Sequence, residues 1–499
     1  MTGKSASHFG LPPFVCSGAT GVCKELQREV SYDKSALATY VATNERLLVP
    51  DQTAVYDHVL AVVQRSCGGI VFLDAPGGTG KTFVLNLILS KIRLSGIAIA
   101  VSSSGIAATL LQGGRTAHST FKLPLNLNYD ESPVCNISKS SGLAHLLKQC
   151  HLIVWDECTM AHKGALEALD RTMRDLRNTD QPIGGVPLLL SGDFRQTLPV
   201  MPKGTPADEL RACLKSSYLW KYVKIFHLHT NLRVSLLGAN SAFASQLLDI
   251  GNGQIPVDVT SNTIELPEQS GTIVHSTSEL IDSVFREVAV NYLNHSWIRE
   301  RAILAPKNEL VNTVNDDILS LLPGTVTEYT SVNTVMDPND SVNYPTEFLN
   351  SLEPPGMPPH KLRLKVGAPI ILLRNLDAPK LCNGTRLSVR KLMPNVIEAV
   401  ILTGTARNDI VFIPRIPLIP SDVPFEFKRL QFPVRVAFAM TINKSQGQSL
   451  TVAGVNLTEP CFSHGQLYVA LSRVGTPGGL YVLAQDRRTR NVVYKDALL

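Results

Sequence analysis

The stretch FLDAPGGTGKTFVLN, residues Phe72–Asn86, decides the fold. A short apolar run enters a glycine turn, and Lys81-Thr82 then begins a segment whose apolar residues follow helical spacing. This is the order of a phosphate-binding loop, G-x-x-x-x-G-K-[ST], in which helix N-terminal N–H groups cradle phosphates. Ala75 replaces the first glycine of that pattern. Because Ala75 follows a strand and precedes Pro76, we expect an ordinary φ there and a working loop. The alternative is a glycine-rich turn that only caps a core helix.

The loop residues have distinct expected tasks. Lys81 would hold the β- and γ-phosphates of a nucleoside triphosphate, and the Thr82 hydroxyl would bind Mg²⁺. Glycines permit backbone conformations that other residues avoid. The residues predicted to bind the nucleotide here are Gly77, Gly78, Thr79, Gly80, Lys81 and Thr82.

Short apolar runs alternate with helix-like segments along the chain. The first series contains GIVFLD, GIAIAVSS, HLIVWDE and VPLLLSGD, and a second extends from RAILAPKNELVNTVNDDIL to GQLYVALSRV. Buried strands that alternate with helices predict parallel sheets covered by helices on both faces, so the expected fold class is α/β. Residues 361–428 are instead rich in Val, Ile, Leu and Pro with turn signals between short runs. They predict a small β-domain inserted in the second α/β unit.

The bulk composition sets wide limits on function. With 499 residues, 44% hydrophobic and 18% charged, the chain is expected to form several globular domains. A net charge of +5 permits a nucleic-acid partner without arguing for one. The nine cysteines form no C-x-x-C pair, which favours a reducing compartment over a disulfide framework or a zinc site. We expect no signal peptide at the N-terminus, and no apolar run approaches the ~18 residues of a membrane span.

Two further strand ends carry candidate catalytic groups. LIVWDECTM places Asp156 and Glu157 after a strand, where Asp156 would reach Mg²⁺ and Glu157 would accept a proton from the attacking water. LLLSGDFRQTLPV places Gln196 at the same sheet edge, where it could sense the γ-phosphate. Acidic pairs at strand ends are often only solvated, and a glutamine after a turn is often a surface residue.

The C-terminal motifs TINKSQGQSL and QLYVALSRV add a polar cluster and one charged group. Lys444, Ser445 and Gln446 together have phosphate-binding chemistry. Arg473 follows a largely apolar segment, so its charge needs a partner. A triphosphate and a salt bridge to an acidic side chain are both open.

Eight strings occur in the order DAPGGTGKT, SSSGIAATLLQGGRTAHSTFKLP, VWDE, GDFRQTLPV, TNLRV, LLRNLDAPKLCNGTRL, TINKSQGQSL and YVALSRV. The set resembles the petite-integration-frequency (PIF) DNA helicases of superfamily 1, and more closely the helicase half of Helitron-type transposases. The resemblance covers roughly residues 48–482. It implies two RecA-like P-loop NTPase domains, with ATP and Mg²⁺ in the cleft between them and an SH3-like β-barrel inserted in the second. The implied divisions are an arm (1–45), a first RecA-like domain (46–230), a second (231–360 and 429–499) and the barrel (361–428).

The resemblance also implies roles for single residues. Gln52 falls where the family has its adenine-reading glutamine, and Gly447 falls in a nucleotide-binding motif. Arg233 and Arg473 fall where the second domain supplies arginines to the γ-phosphate. The implied catalytic set is Lys81, Asp156, Glu157, Gln196, Arg233 and Arg473, and the implied DNA contacts are Thr116, His118, Thr441 and Lys444.

The expected function is therefore an ATP-dependent DNA helicase that moves 5′ to 3′ on single-stranded DNA and unwinds duplex DNA. Its expected roles are DNA repair, recombination, telomere maintenance or transposition, and its expected partners are single-stranded and duplex DNA and a separate nuclease or transposase module. The expected location is the nucleus in a eukaryote and otherwise the cytoplasm. The alternatives are an ATPase-inactive, transposon-derived DNA-binding remnant and a nucleotide-dependent scaffold.

The segment IFHLHTNLR contains the His-hydrophobic-His pattern of rolling-circle nucleases at His227 and His229. A catalytic-tyrosine helix and a third metal ligand are not evident around it. Two histidines at alternate positions more often line one face of a strand, and we adopt that interpretation.

Overall fold

The computed structural model describes residues 24–499 except 125, 128–129, 202–203, 231, 233–240, 338–342, 421–422 and 424. Two parallel sheets form the centres of two α/β domains, and antiparallel strands are inserted in the second. Within the described residues, none of the helices is long and apolar enough to cross a membrane.

The first domain contains a six-stranded parallel sheet. Its elements are α1 (Lys24–Val30), α2 (Lys34–Asn44), α3 (Pro50–Arg65), β1 (Ile70–Asp74), α4 (Lys81–Arg93), β2 (Ala98–Ser102), α5 (Gly105–Leu110), β3 (Arg115–Thr116), α6 (Ala117–Phe121), α7 (Gly142–Gln149), β4 (Leu152–Asp156), α8 (Lys163–Arg177), β5 (Leu188–Gly192), α9 (Pro206–Ala212) and β6 (Val223–His227). The strand order is β3-β2-β4-β5-β1-β6.

The central strands of this sheet explain where the candidate site lies. Strands β4 and β5 are buried along their whole length, as a strand with helices on both faces must be. This is why they are continuous apolar runs in the sequence. Asp74 at the end of β1 lies in register with Gly192 at the end of β5, and β4 pairs with β5 in the same direction. The polar residues that follow these strands therefore meet at one sheet edge.

Part of the predicted N-terminal arm is helical and packs on the first domain. The Glu29 carboxylate is buried, forms an ion pair with Arg115 and lies 3.6 Å from the Arg93 guanidinium. The Tyr32 ring centroid lies 4.3 Å from the same guanidinium. These contacts tie α1 and the α1–α2 turn to β3 and α4, while residues 1–23 lie outside the described part of the chain.

The second domain begins after the first sheet. Its elements before the insertion are α10 (Ser241–Gly251), β7 (Val257–Asp258), β8 (Thr263–Glu265), β9 (Thr272–Val274), α11 (Thr277–Val284), α12 (Val288–Asn291), α13 (His295–Arg299), β10 (Arg301–Ala305) and α14 (Asn308–Leu321). Strand β10 is buried from Ala302 to Ala305 and becomes a central strand of the second parallel sheet.

The inserted β-region contains antiparallel strands. Its elements are β11 (Thr327–Thr330), β12 (Val332–Val335), α15 (Thr346–Ser351), β13 (Lys361–Leu364), β14 (Pro369–Leu372), β15 (Arg386–Leu392), β16 (Val396–Ile401), β17 (Ile410–Pro414), β18 (Ile416–Leu418), β19 (Phe427–Gln431) and β20 (Val434–Val436). Strands β11 and β12 precede residue 361 but pair with β13 and β19, and β20 follows residue 428 and pairs with β14. The antiparallel strands thus begin before residue 361 and continue after residue 428. The domain boundaries themselves stay a prediction.

The chain then returns to the second α/β domain. The remaining elements are β21 (Ala439–Thr441), α16 (Ile442–Ser445), β22 (Val452–Asn456), α17 (Gln466–Leu471), β23 (Leu480–Leu483), β24 (Arg488–Thr489) and α18 (Lys495–Leu498). The sheet order is β21-β10-β22-β23-β9, with every neighbouring pair parallel. Two α/β domains with an insertion in the second agree with the predicted fold class.

Arg429 on β19 holds together loops of the inserted β-region. Its side chain is fully buried. Its guanidinium donates to the carbonyl oxygens of Leu349 (2.9 Å), Leu352 (3.0 Å) and Pro358 (3.0 Å), and to Asn333 Oδ1 (2.9 Å). One buried cation therefore satisfies four acceptors from segments far apart in the sequence.

We expect Arg429→Met to lower the local free energy of unfolding by about 3 kcal/mol, because four buried acceptors lose their donor. Arg407→Met, a matched change at an exposed position, should change it by less than about 0.5 kcal/mol. Hydrogen exchange at the amides of β12 and β19 measures this free energy. Equal exchange rates in the two variants would contradict the role given to Arg429.

Candidate active site

The phosphate-binding loop joins the end of β1 to the start of α4. Its left-handed residues are Gly78 (φ 93°) and Gly80 (φ 78°), where glycine has no steric penalty. Ala75 does not have a positive φ; it is buried and its N–H donates to the Gly192 carbonyl at 3.0 Å. The alanine therefore extends the sheet edge in ordinary backbone, in agreement with the sequence expectation.

The Lys81 ammonium lies between two carboxylates at the end of β4. Its Nζ is 2.9 Å from Asp156 Oδ1 and 2.6 Å from Glu157 Oε1. Burial alone would lower the pKa of Lys81, but the two carboxylates outweigh it and raise that pKa above its usual value. Burial raises the pKa of Asp156, whereas for Glu157 the opposing effect of Lys81 outweighs burial and lowers the pKa. Lys81 is therefore charged and Glu157 is ionised, which is the state that a general base requires.

Glu157 is held in an unusual backbone conformation. Its φ of 49° and ψ of 37° are left-handed, which costs a residue with a side chain about 1–2 kcal/mol. Left-handed non-glycine residues are concentrated at functional sites, where the surroundings impose the strain. The backbone turn carries Glu157 away from the strand direction, so that both its carboxylate and that of Asp156 reach Lys81.

Gln196 reaches the same cleft from the segment after β5. Its side chain is 4% exposed, and its Oε1 has no hydrogen-bond partner among the described residues. Asp193 begins this segment and is fully buried; its Oδ2 accepts a hydrogen bond from the Tyr468 hydroxyl of the second domain at 3.0 Å. An amide oxygen without a partner in a buried cleft is suited to orient a water molecule or a ligand hydroxyl.

The second domain forms the opposite wall of the cleft. Arg473 follows α17 and lines the cleft together with Gly447 and the phosphate-binding loop. Its guanidinium donates to the carbonyls of Val469 (2.7 Å) and Gln448 (3.1 Å) and to Ser472 Oγ (2.8 Å). The structure thus places this charge beside the cleft, supported by backbone carbonyls. Arg233, the other predicted arginine, lies outside the described residues.

Gln446 contacts the first domain directly. Its Nε2 donates to Glu157 Oε2 at 3.0 Å, and its Oε1 accepts a hydrogen bond from Thr197 Oγ1 at 2.6 Å. The sequence places Gln446 in a polar cluster with phosphate-binding chemistry and does not predict this contact with the first domain. Its partner lies 289 residues away in the chain, so no spacing in the sequence could indicate this contact.

Gln52 is placed behind the phosphate-binding loop rather than in the cleft. It is fully buried, its Oε1 accepts from the Val49 N–H at 3.3 Å, and its Nε2 donates to the Thr79 carbonyl at 2.9 Å. A Cβ on Gly80 would lie 2.7 Å from the same Nε2. Gln52 therefore supports the loop backbone, and its role in reading adenine stays a prediction.

Oxygen ligands for a divalent cation are available at the start of α4. Thr82 and Asp156 both line the cleft, and a hydroxyl with a carboxylate suits Mg²⁺, which keeps several water ligands and binds substrate phosphates. A Cβ on Gly77 would meet no atom within 4 Å, so the loop leaves open space beside these groups. The donor set therefore fits a Mg²⁺–phosphate complex rather than a metal held by protein alone.

The predicted DNA contacts lie on both domains. On the first, Thr116 Oγ1 donates to Ser119 Oγ at 2.8 Å, and His118 is exposed. On the second, Thr441 and Lys444 line a groove bounded by α14 and β14. Desolvation and the nearby Arg374 lower the pKa of Lys444, although its side chain still reaches solvent. A partly desolvated Lys444 with Arg374 nearby is suited to bind the anionic phosphate backbone of DNA.

His227 and His229 stack on each other beside Asp74. The His227 ring lies 3.1 Å from Asp74 Oδ2 and stacks on the His229 ring with centroids 5.8 Å apart. Across the residues that the structure describes, no group of three or more His, Cys, Asp or Glu side chains could hold a metal. His227 ends the edge strand β6 and His229 lies two residues beyond it, so only His227 is in the strand on which the sequence interpretation placed both.

Two family profiles match the chain. The PIF1-like helicase profile matches residues 47–261, and the profile described as DNA helicase Pif1, 2B domain, matches residues 347–392, within the inserted β-region. The first match contains the phosphate-binding loop, Asp156, Glu157 and Gln196. The second match lies in the antiparallel strands, outside the alternation of strands and helices.

Individual proteins agree with these matches. The chain is 28% identical over 448 residues to ATP-dependent DNA helicase PIF1 of Danio rerio, covering 88% of this chain and 62% of the relative. It is 25% identical over 469 residues to ATP-dependent DNA helicase Pif1 of Psychrobacter sp. (strain PRwf-1), covering 84% of this chain and 66% of the relative. The chain thus spans less than two thirds of the length of these relatives.

The fold also matches a crystal structure of Pif1 helicase from Bacteroides in complex with ADP-AlF3 and ssDNA. The TM-score is 0.65 at 24% identity, over 89% of this chain and 94% of that one. The closer resemblance to Helitron-type transposases stays a prediction. The profile matches, the relatives and the shared fold agree that the chain is similar to PIF1-like helicases over most of its length.

Proposed function

We propose that this protein is an ATP-dependent DNA helicase. The observation that carries the proposal is a single cleft walled by two α/β domains. The first supplies the phosphate-binding loop, Asp156 and Glu157, and the second supplies Gln446 and Arg473. The relatives named above are ATP-dependent DNA helicases, and the matching Bacteroides structure contains a nucleotide analogue and single-stranded DNA.

The cleft residues would divide the work of ATP hydrolysis. Mg²⁺ held by Thr82 and Asp156 would neutralise phosphate charge. The Lys81 ammonium would move from its carboxylate partners to the β- and γ-phosphates, while the loop N–H groups bind the phosphate oxygens. Glu157 would then be free to accept the proton of the attacking water, with the unpartnered Oε1 of Gln196 available to orient that water.

The second domain would connect this chemistry to movement along DNA. Arg473 stands beside the cleft, so a bound γ-phosphate would draw the two domains together and its release would let them separate. Thr116 and His118 on the first domain and Thr441 and Lys444 on the second would grip one strand in alternation. A duplex ahead of the protein would then be separated as the tracked strand is drawn through.

We expect Lys81→Ala to reduce ATP turnover by at least about 10²-fold, because no other cation replaces its interaction with the transferring phosphate. Binding of single-stranded DNA should be retained, since the predicted strand contacts lie on other surfaces. Lys91→Ala is the matched control: it lies on the same helix, but its ammonium pairs with Glu45, 2.7 Å away, outside the cleft. Steady-state ATPase and fluorescence anisotropy measure both properties. Parallel loss of both in Lys81→Ala would indicate misfolding or a wrong site.

We propose 5′-to-3′ polarity on the resemblance to PIF-type helicases, because the ATP motifs alone do not encode direction. Unwinding in ATP and Mg²⁺ is expected for a duplex with a 5′ single-stranded overhang and little with only a 3′ overhang. Glu157→Gln should bind both substrates and unwind neither, since the attacking water loses its base. A gel-based or fluorescence unwinding assay compares the substrates. Efficient unwinding from the 3′ overhang alone would reject the proposed polarity.

A further inference from the structure

Gln446 makes a buried connection between the two domains. Its side chain is 1% exposed, and both ends of its amide are used, towards Glu157 and towards Thr197. Thr197 directly follows Gln196 and is itself 1% exposed. The second domain therefore contacts both the candidate base and the candidate γ-phosphate segment through one side chain.

This contact orients the Glu157 carboxylate. Oε1 of Glu157 faces Lys81 at 2.6 Å and Oε2 accepts from Gln446 at 3.0 Å, so the two partners fix the carboxylate plane. Thr197 fixes the amide of Gln446 in turn, because its hydroxyl donates to Oε1 and leaves Nε2 directed at Glu157. A general base must be within hydrogen-bond reach of a particular proton, so a change of this orientation changes its rate.

Gln446 also belongs to the segment that is predicted to grip DNA. It follows α16, two residues after Lys444, and the Arg473 guanidinium donates to the Gln448 carbonyl at 3.1 Å and to the Ser445 carbonyl at 3.5 Å. The next residue, Gly447, has a φ of 83°, and a Cβ there would lie 3.3 Å from Ala107 Cβ of the first domain. Arg473 therefore holds this segment within the second domain, and Gly447 lies close to the first domain. A shift at Lys444 would be transmitted along the backbone to Gln446.

We propose that Gln446 is a positioning residue that orients Glu157, and that it thereby makes ATP turnover depend on how the second domain grips single-stranded DNA. The inference rests on the proposed helicase function. It assigns the coupling to one path, which runs along the backbone from Lys444 to Gln446 and then through the hydrogen bond from Gln446 to Glu157. Thr197 is the second partner of the Gln446 amide.

The test compares two substitutions that remove buried hydrogen bonds between the domains. Gln446→Leu removes the bonds to Glu157 and from Thr197. Tyr468→Phe is the matched control, because it removes the buried bond to Asp193 and does not touch Glu157. Each variant is measured for the kcat and KM of ATP hydrolysis at saturating single-stranded DNA, and for DNA affinity by anisotropy.

For Gln446→Leu we expect kcat at saturating DNA to fall about tenfold, since a base contributes about 10²–10⁴-fold and only its orientation is lost. The KM for ATP and the Kd for DNA should stay within about twofold, which separates positioning from binding. In the Glu157→Gln background, adding Gln446→Leu should cause no further loss, because the partner it acts through is already gone.

The outcomes separate this inference from the function on which it rests. A wild-type chain without DNA-dependent ATP turnover would reject the proposed function and the inference with it. If DNA stimulates ATP hydrolysis by the wild type and Gln446→Leu has the same kcat as the wild type, the inference alone is rejected. Equal losses in Gln446→Leu and Tyr468→Phe, or full additivity with Glu157→Gln, would show a structural interface contact instead.

Discussion

The Lys81 ammonium, buried between Asp156 and Glu157, is the interaction on which the rest of the site depends. A buried cation is stable only with charged or hydrogen-bonded partners close by, and here they lie 2.9 Å and 2.6 Å away. This pairing fixes the start of α4 against the end of β4. Lys81 comes after strand β1, and the two acidic residues stand at the end of strand β4. Because β1 and β4 belong to one parallel sheet, the sheet itself brings the cation and the acids together. A phosphate can replace the carboxylates as partner, so the arrangement that satisfies Lys81 also prepares a phosphate site.

The cleft is complete only when the second domain is present. Arg473 and Gln446 close it from that side, and Gln446 forms a hydrogen bond with the candidate base. Further contacts reinforce the same interface: the Tyr468 hydroxyl bonds to Asp193, and the His464 ring lies 2.7 Å from the Phe194 carbonyl oxygen. A few buried polar contacts therefore link the candidate hydrolytic site to the arrangement of the two domains. The proposed function requires such a link, because a chemical step must change how the two domains grip a strand.

The sequence predicts the part of the site that a parallel sheet determines. Lys81, Asp156 and Gln196 each follow a buried apolar strand, so their meeting at one edge is readable from the pattern. Contacts that depend on how two domains pack are not readable. The pairing of Gln446 with Glu157 is of this kind. The placement of Gln52 behind the loop depends instead on how α3 packs within the first domain. Strands β11 and β12 were missed for another reason: TEYT and VNTV are short and largely polar, and they are strands only because β13 and β19 pair with them.

The most direct test of the whole account is steady-state ATP hydrolysis by the purified chain with and without single-stranded DNA. In this account the second domain, which grips DNA, also orients the candidate base. The protein should therefore hydrolyse ATP slowly without DNA. DNA should raise kcat by about tenfold or more, which is within the range of general-base catalysis. DNA binding without measurable hydrolysis would contradict the account and would favour an inactive DNA-binding remnant. Hydrolysis at the same rate with and without DNA would also contradict it, and would favour a nucleotide-dependent scaffold.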